Sequence, residues 1–391
     1  MRKVYLDHNA TTPVHPDVRE AVAPFLSELF GNPSSIHWAG RDVRKPVEDA
    51  RQEIAAFFGC QPLEIVFASS GTESDNLAIK GIAFRKENAG KHIVTSTVEH
   101  PAVINTCRFL ESQGFRVTYA PVNRQGIVEP ESVRKAITKD TILVSVMYAN
   151  NETGCVMPIE EIGAIARESG VLMHTDAVQA TGKIPVDWKS LPVDLLTFSG
   201  HKINALKGAG GLIVRKGVEI EAVLHGGHQE RGRRGGTENV VGIVAMGKAF
   251  SLLRAGMEQE VRETRRLRDK FENALFGRIP ELVLNGHPAR RLPNTVNISF
   301  RFVEGEALLL NLDMLGIACS SGSACTSGSI EGSPILMAMG TDPVDAQGAL
   351  RFSLGMGNTD ADVEYAVDAI EAVVEKLRAM SPLGVKEAKA R

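Results

Sequence analysis

The sequence predicts a mostly parallel, doubly wound α/β sheet followed by a smaller α+β unit. Three observations carry this reading. Short β-branched runs alternate with amphipathic helical stretches over the first two-thirds of the chain. Many of the 37 glycines sit at the ends of apolar runs, where strand–helix turns require them. A long segment rich in Ala, Glu, Arg and Leu then separates this alternation from a final mixture of strands and helices.

Strands are expected at 64–68, 92–96, 141–148, 171–175, 195–198 and 211–214, with helices between them such as 73–86 and 158–168. The segment 243–276 reads as a helical connector. Beyond about residue 280, strands at 295–299 and 349–354 and helices at 305–315 and 360–378 suit the smaller unit. The large domain is expected over 15–258, and the small one over 1–14 with 259–391. The Gly/Ser-rich stretch 320–332 is the candidate mobile loop, and the tail 384–391 is polar and basic.

The bulk composition excludes several classes. With 391 residues, 43% of them hydrophobic, the chain can bury a sizeable core. Its net charge of -3, from 44 basic and 47 acidic residues, argues against direct nucleic-acid partners and anionic membranes. No uninterrupted apolar stretch approaches the roughly 18 residues of a membrane-spanning helix, and the start lacks a signal-peptide core. A cytoplasmic protein is expected. The five cysteines are odd in number and contain no CxxC pair, so neither a disulfide framework nor a structural metal is expected. Cys60, Cys107, Cys155 and Cys319 read as core.

In such a sheet the ligand crevice lies at the carboxyl ends of the strands, and the polar clusters fall there. Lys202 follows an apolar run in Thr197-Phe198-Ser199-Gly200-His201-Lys202. A crevice lysine is desolvated, which frees its amine for a Schiff base; a solvated loop lysine is the plain alternative. Asp176 ends the run Val171-Leu172-Met173-His174-Thr175. A buried carboxylate needs a partner, and a pyridinium nitrogen is one. Capping a helix from Ala177 is the other reading, with Gln179 in a capping box or reaching into the pocket.

Ser69-Ser70-Gly71-Thr72-Glu73-Ser74 lies between a strand and a helix, where backbone N–H groups favour a phosphate or Ser70 is an ordinary cap. His100 either stacks on a flat ring and moves protons or is structural. Arg351, in an otherwise apolar strand, needs an anion, either a substrate carboxylate or a structural carboxylate. The basic run Arg231-Gly232-Arg233-Arg234 lacks interleaved aromatics, so phosphate contact or a subunit interface is preferred to nucleic acid. Cys325 lies in Ser320-Ser321-Gly322-Ser323-Ala324-Cys325-Thr326-Ser327-Gly328. With no apolar face around it, it reads as an exposed, reactive thiol, against a surface thiol without a role.

Together these segments resemble the NifS/IscS group of cysteine desulfurases, in the class V aminotransferase family with the type I pyridoxal-phosphate (PLP) fold. The resemblance runs from Tyr5-Leu6-Asp7-His8-Asn9-Ala10-Thr11-Thr12 to Arg351-Phe352-Ser353-Leu354-Gly355. Between them stand Gly31-Asn32-Pro33-Ser34-Ser35, Glu99-His100, Asn150-Asn151-Glu152 and the clusters above. The cysteine loop resembles the long-loop subgroup. The resemblance implies that Lys202 holds PLP and acts as acid and base, that Asp176 pairs with the ring nitrogen and Gln179 with the ring hydroxyl, and that His100 stacks on the ring. It implies a phosphate held by Gly71, Thr72, Ser199 and His201, with Thr237 arriving from the second subunit of a homodimer. Asn151 and Arg351 would contact the cofactor–substrate adduct, Arg351 through the carboxylate.

Cys325 would attack the substrate sulfur, carry it as a persulfide and leave L-alanine from L-cysteine. An iron–sulfur scaffold or another acceptor protein would take the sulfur, for nitrogenase-type or general cluster assembly, and Cys325 is a candidate shared cluster ligand. Two departures stand out: Ile203-Asn204-Ala205-Leu206-Lys207-Gly208, where the family usually ends in Gly-Pro-Lys-Gly, and Met356, where it often has arginine. A class V transaminase, a selenocysteine lyase and a non-catalytic scaffold for cluster-assembly partners are the competing readings.

Overall fold

Strands buried on both faces must be apolar throughout, and the central runs of this chain are. In the computed structural model, which describes residues 2–85, 90–321 and 332–380, they form one seven-stranded sheet. The chain enters through β1 (Val4–Tyr5), α1 (Pro16–Val22) and α2 (Trp38–Phe58). There follow β2 (Ile65–Ala68), α3 (Gly71–Ala83), β3 (His92–Ser96), α4 (Pro101–Ser112), β4 (Arg116–Ala120), α5 (Pro130–Ala136), β5 (Thr141–Ser145), α6 (Ile159–Glu168), β6 (Leu172–Asp176), β7 (Leu195–Ser199) and β8 (Gly210–Val214). The sheet order is β2-β8-β7-β6-β5-β3-β4, parallel except that β8 runs antiparallel to both neighbours. The fold class expected from the alternation is the one observed. Strand β4 was not among the expected strands. Its Arg116 is exposed and its middle only half-buried, as an edge strand allows, so its pattern is weaker.

Register gathers the strand ends. Asp176 of β6 lies beside Thr197 of β7, and Ser145 of β5 beside His174 of β6. The chain leaves β3 outward to β4 and returns past it to β5, so the connections part on either side of β3, at the switch point where such sheets bind ligands. Local signals start the helices there. Ser70 caps α3 by accepting from Glu73 N–H at 3.1 Å, and His100 caps α4 through Nδ1 from Ala102 N–H at 3.1 Å. Pro101 occupies the first turn of α4, where a missing N–H costs nothing.

A single 39-residue helix, α7 (Val240–Arg278), replaces the shorter connector. By length and composition it is apolar enough to cross a membrane. Here its first half buries Ile243, Met246 and Phe250 in the core beneath the large sheet. Its second half buries Leu267, Phe271 and Leu275 in another core. That core lies against a four-stranded antiparallel sheet, in the order β12-β13-β10-β9: β9 (Leu282–Leu284), β10 (Thr295–Phe300), β12 (Ser320–Ser321) and β13 (Ala349–Ser353). Beside it β11 (Ile317–Ala318) pairs in parallel with β1, which draws Val4 and Leu6 into the same core. The helices α8 (Gly305–Met314), α9 (Pro334–Ala338), α10 (Pro343–Gln347) and α11 (Asp360–Met380) complete the described chain.

The helix α7 crosses α2 at a point of close backbone approach. A Cβ on Gly247 would lie 2.5 Å from Ala50 Cβ and 2.6 Å from its Cα, so nothing larger than hydrogen fits. Gly247→Ala is therefore expected to destabilise the protein by about 1–3 kcal/mol despite its better helix propensity. Urea unfolding would check this, and an unchanged or raised midpoint would contradict the packing.

Candidate active site

The strand ends enclose a cleft of about 850 Å³. Gly71, Thr72, His100, Asn151, Asp176, Gln179, Ser199, His201, Lys202 and Arg351 all line it. Thr237 does not: it is exposed and outside the cleft of its own chain. Cys325 lies outside the described residues, as does most of the loop that resembles the long-loop subgroup.

Lys202 sits in a 3-10 turn directly after β7, and its Nζ donates to the carbonyls of Asn9 at 2.5 Å and Ala10 at 2.7 Å. The lysine is thus held by backbone oxygens from the N-terminal segment and not solvated in a loop. Asp176, at the end of β6, is 6% exposed, and its Oδ1 accepts from Val178 N–H at 2.9 Å. Residues 178–183 are turns, so no helix follows for Asp176 or Gln179 to cap. Burial pushes the Asp176 pKa up, opposed by the charges of His100 and Lys202. His100 is held below its usual pKa, mainly by burial, against the pull of the Asp176 charge, and its Nδ1 accepts from Ala102 N–H.

These groups fit PLP. Ser199 Oγ and Asn151 Oδ1 are buried and lack a hydrogen-bond partner among the described residues, as groups awaiting a ligand would. The start of α3 leaves the N–H groups of Gly71 and Thr72 without intrahelical partners, as every helix start does, and an anion is the natural complement. A Cβ on Gly71 would press on Val178 at 2.9 Å, so the loop can come this near only with glycine there. His201 bonds Thr11 Oγ1 through Nδ1 at 3.1 Å and is pushed down to about 4 by burial and nearby lysines, so it is neutral.

Arg351 has a structural carboxylate as its anion. Nη2 pairs with Asp7 at 2.6 Å, and Nη1 donates to the Asn151 carbonyl at 3.0 Å. Its Nε is buried without a hydrogen-bond partner among the described residues. A structural carboxylate and a backbone carbonyl orient the fork. Arg234 pairs with Glu73 at 2.7 Å, and Arg233 donates to the carbonyls of Leu63 and Ile65, so both make contacts within the chain. Of the cysteines expected in the core, Cys107 and Cys155 are buried, whereas Cys60 and Cys319 are only partly so. The departures near Lys202 have a structural use: Asn204 adopts a left-handed backbone and binds Thr12 Oγ1 and the Pro13 carbonyl, while Met356 lines a small cavity behind Lys202.

Several cleft residues had no role from sequence. Asp75 is 1% exposed and lies near His174 Nε2 at 3.6 Å. His174 bonds Thr197 Oγ1 at 3.1 Å and Ser145 Oγ at 2.8 Å, and burial pushes it down to about 3. The signal for Asp75 was its place on the inward face of α3, in step with Gly71, Ser74 and Ala78. Glu99 accepts from Ser96 Oγ at 2.5 Å and from Met147 N–H at 3.0 Å.

Comparison with known proteins agrees with this geometry. The aminotransferase class-V family model matches residues 4–366. The chain belongs to the class V aminotransferase family. It is 51% identical over 386 residues to a cysteine desulfurase IscS of Methanosarcina thermophila, covering 99% of this chain and 95% of that one. Among solved structures, a NifS-like protein superposes with a TM-score of 0.90 at 38% identity, over 96% of this chain and 100% of that chain. SspA in complex with cysteine superposes with a TM-score of 0.81 at 36% identity, over 90% and 98%. The resemblance read from the motifs therefore holds. The class V family is PLP-dependent.

Glu99 gives a pH prediction for this class V chain. Burial, the largest effect, and the Asp176 charge raise its pKa to about 8 from 4.5, against the hydrogen bonds from Ser96 and Met147. Between those values the folded state holds a proton that the unfolded chain releases, so stability falls as pH rises through that window. Glu99→Gln is expected to flatten the fall by up to about 1.4 kcal/mol per pH unit. Urea titrations of both proteins across that range measure it, and parallel profiles would contradict the assignment.

Proposed function

We propose that this chain is a PLP-dependent cysteine desulfurase, converting L-cysteine to L-alanine and carrying the sulfur as a persulfide on Cys325. The observation that carries the reading is the convergence of Lys202, Asp176, His100 and Arg351 in one cleft, in a chain half identical to a protein named cysteine desulfurase IscS. Lys202 provides the amine for cofactor attachment. Asp176 offers a carboxylate whose burial makes it want a cationic partner, which a protonated ring nitrogen supplies. Gln179 faces the ring hydroxyl, His100 the ring, and Gly71, Thr72, Ser199 and His201 the phosphate. When bound, PLP supplies an electron sink for the pair left at the substrate α-carbon.

The chain's own residues do the rest. Arg351 Nε and Asn151 receive the substrate carboxylate. Lys202 would take the substrate α-proton and return a proton to the substrate carbon skeleton. The Cys325 thiolate attacks the substrate sulfur: the S–S bond forms, the C–S bond breaks, and its electron pair stays with the carbon that becomes the alanine methyl group. L-cysteine and one thiol thus give L-alanine and one persulfide. The sulfur then passes to an acceptor protein for iron–sulfur assembly, general or nitrogenase-type, in the cytoplasm. Exposed Leu26, Phe30, Ile36 and Trp38 support a homodimer in which the second copy brings Thr237.

The test is an absorbance spectrum of the PLP-loaded protein before and after L-cysteine, with alanine and sulfide assayed together. A visible band that shifts as alanine and sulfide form supports the desulfurase; a band without alanine favours another class V reaction. Cys325→Ala is expected to keep the band while sulfide release falls by about two orders of magnitude or more. Arg351→Lys, which keeps a charge beside Asp7 but loses the fork, is expected to raise KM for L-cysteine about tenfold with a smaller change in kcat. Steady-state kinetics decide between that and an unchanged KM.

A further inference from the structure

Gln179 is held from behind. Its Oε1 accepts from Lys183 Nζ at 3.0 Å, and the same ammonium donates to the Gln179 carbonyl at 3.1 Å. Its Nε2 donates to the Asn9 carbonyl at 3.0 Å, the same oxygen that takes Lys202. An amide has two ends of nearly equal size and opposite polarity, so its orientation is set by its partners. Flipping Gln179 would face N–H against the ammonium and C=O against the Asn9 carbonyl. Both neighbours forbid that, and only one of them is a replaceable side chain.

Lys183 does not line the cleft. It lines the small cavity on the far side of Lys202, with His8, Thr181, Glu260 and Met356. The charged and titratable groups that act on it are His8 from the N-terminal segment, His201 and Lys202 after β7, Glu260 from α7 and Arg351 from β13. Burial, with Lys202 and Arg351 adding to it, pushes its pKa down to about 7. Keeping a lysine where its charge is disfavoured costs stability, and a methionine would fill the space without that cost. Among the described residues, the hydrogen bonds of its ammonium go to Gln179.

We propose that Lys183 is a positioning residue: by donating to Gln179 Oε1 it fixes the amide with its N–H end toward the cleft, for the ring oxygen of bound PLP. This rests on the reading that the cleft holds PLP on Lys202. A fixed donor at that oxygen favours its anionic form, and so lowers the pH at which the lysine–cofactor linkage gives up its proton. Without Lys183 only the Asn9 carbonyl still holds the amide, so its oxygen turns toward the ring more often and the linkage holds its proton to higher pH.

The experiment is a pH titration of the visible band of the PLP-loaded protein, with no substrate present. Wild type, Lys183→Met and Lys183→Arg are compared, each also with Gln179→Ala, with circular dichroism to check folding. Lys183→Met is expected to raise the spectral midpoint by about one pH unit, a tenfold change in proton affinity. Lys183→Arg, which still donates, is expected to restore it. On the Gln179→Ala background, Lys183→Met is expected to add almost nothing, because the effect runs through Gln179.

A wild-type midpoint in folded Lys183→Met overturns the proposal. So does a shift of the same size with Gln179 already removed, which would mean that the charge acts through space. Where Lys183→Met does not fold, Lys183→Gln carries the same test with the same direction of shift, and a wild-type midpoint in it counts equally against. If wild type shows no visible band after PLP is added, the cofactor reading itself fails, a result distinct from any of these.

Discussion

The cleft depends on one peptide carbonyl. Asn9 O accepts from Lys202 Nζ and from Gln179 Nε2, and so ties the segment after β7 to the turn after β6. The rest of Asn9 is equally committed. Its N–H donates to Ser353 Oγ, its Nδ2 to Thr295 Oγ1 and the Asn151 carbonyl, and its Oδ1 accepts from Asn294 Nδ2. Residues of both sheets are thus bonded through one buried side chain and its backbone. The residue is 1% exposed, so each of these bonds is one that a buried polar group needs and water does not replace. The position of the lysine is consequently a property of the N-terminal strap as much as of β7.

Electrostatically the site is an acidic floor under a cationic rim. Asp75, Glu99 and Asp176 are all buried in the cleft wall, and burial raises the pKa of each. Three carboxyl groups so placed cannot all ionise cheaply. Asp176 has the strongest claim to the charge, because His100 and Lys202 both oppose its burial. Asp75 has the weakest, since Asp176 itself pushes it further up. Neutral His174 and Ser145 behind them form a polar shell that keeps Thr197 and the end of β6 in place.

The small domain contributes through Arg351, whose fork is divided. Asp7 and the Asn151 carbonyl hold two of its nitrogens, which orients the guanidinium, while Nε is buried without a hydrogen-bond partner among the described residues. Glu152, beside Asn151, is likewise buried, and its hydrogen bond with Ser333 secures the start of α9 against the same wall. Long helix α7 lies in both cores, so the two sheets share one rigid member.

The one-dimensional pattern was enough for the fold class and for the main cleft residues. Buried parallel strands must be apolar, and the polar groups that interrupt them collect at strand ends, so Lys202, Asp176, His100 and the Ser70–Gly71–Thr72 turn could be read in order along the chain. The chain does not say which surfaces face each other. Arg234 pairs with Glu73, 161 residues away, a partner that the basic run around it does not name. Asp7 and Arg351, 344 residues apart, form an ion pair that composition cannot foresee. The turn after β6 looked like a helix start because Asp and Gln suit one, whereas the bonds of Gln179 to Asn9 and Lys183 hold it otherwise. Residue type and spacing determined what kinds of group this protein brings to its strand ends; only packing decided which of them share a hydrogen bond, because partner choice depends on distances that close through the fold and not along the chain.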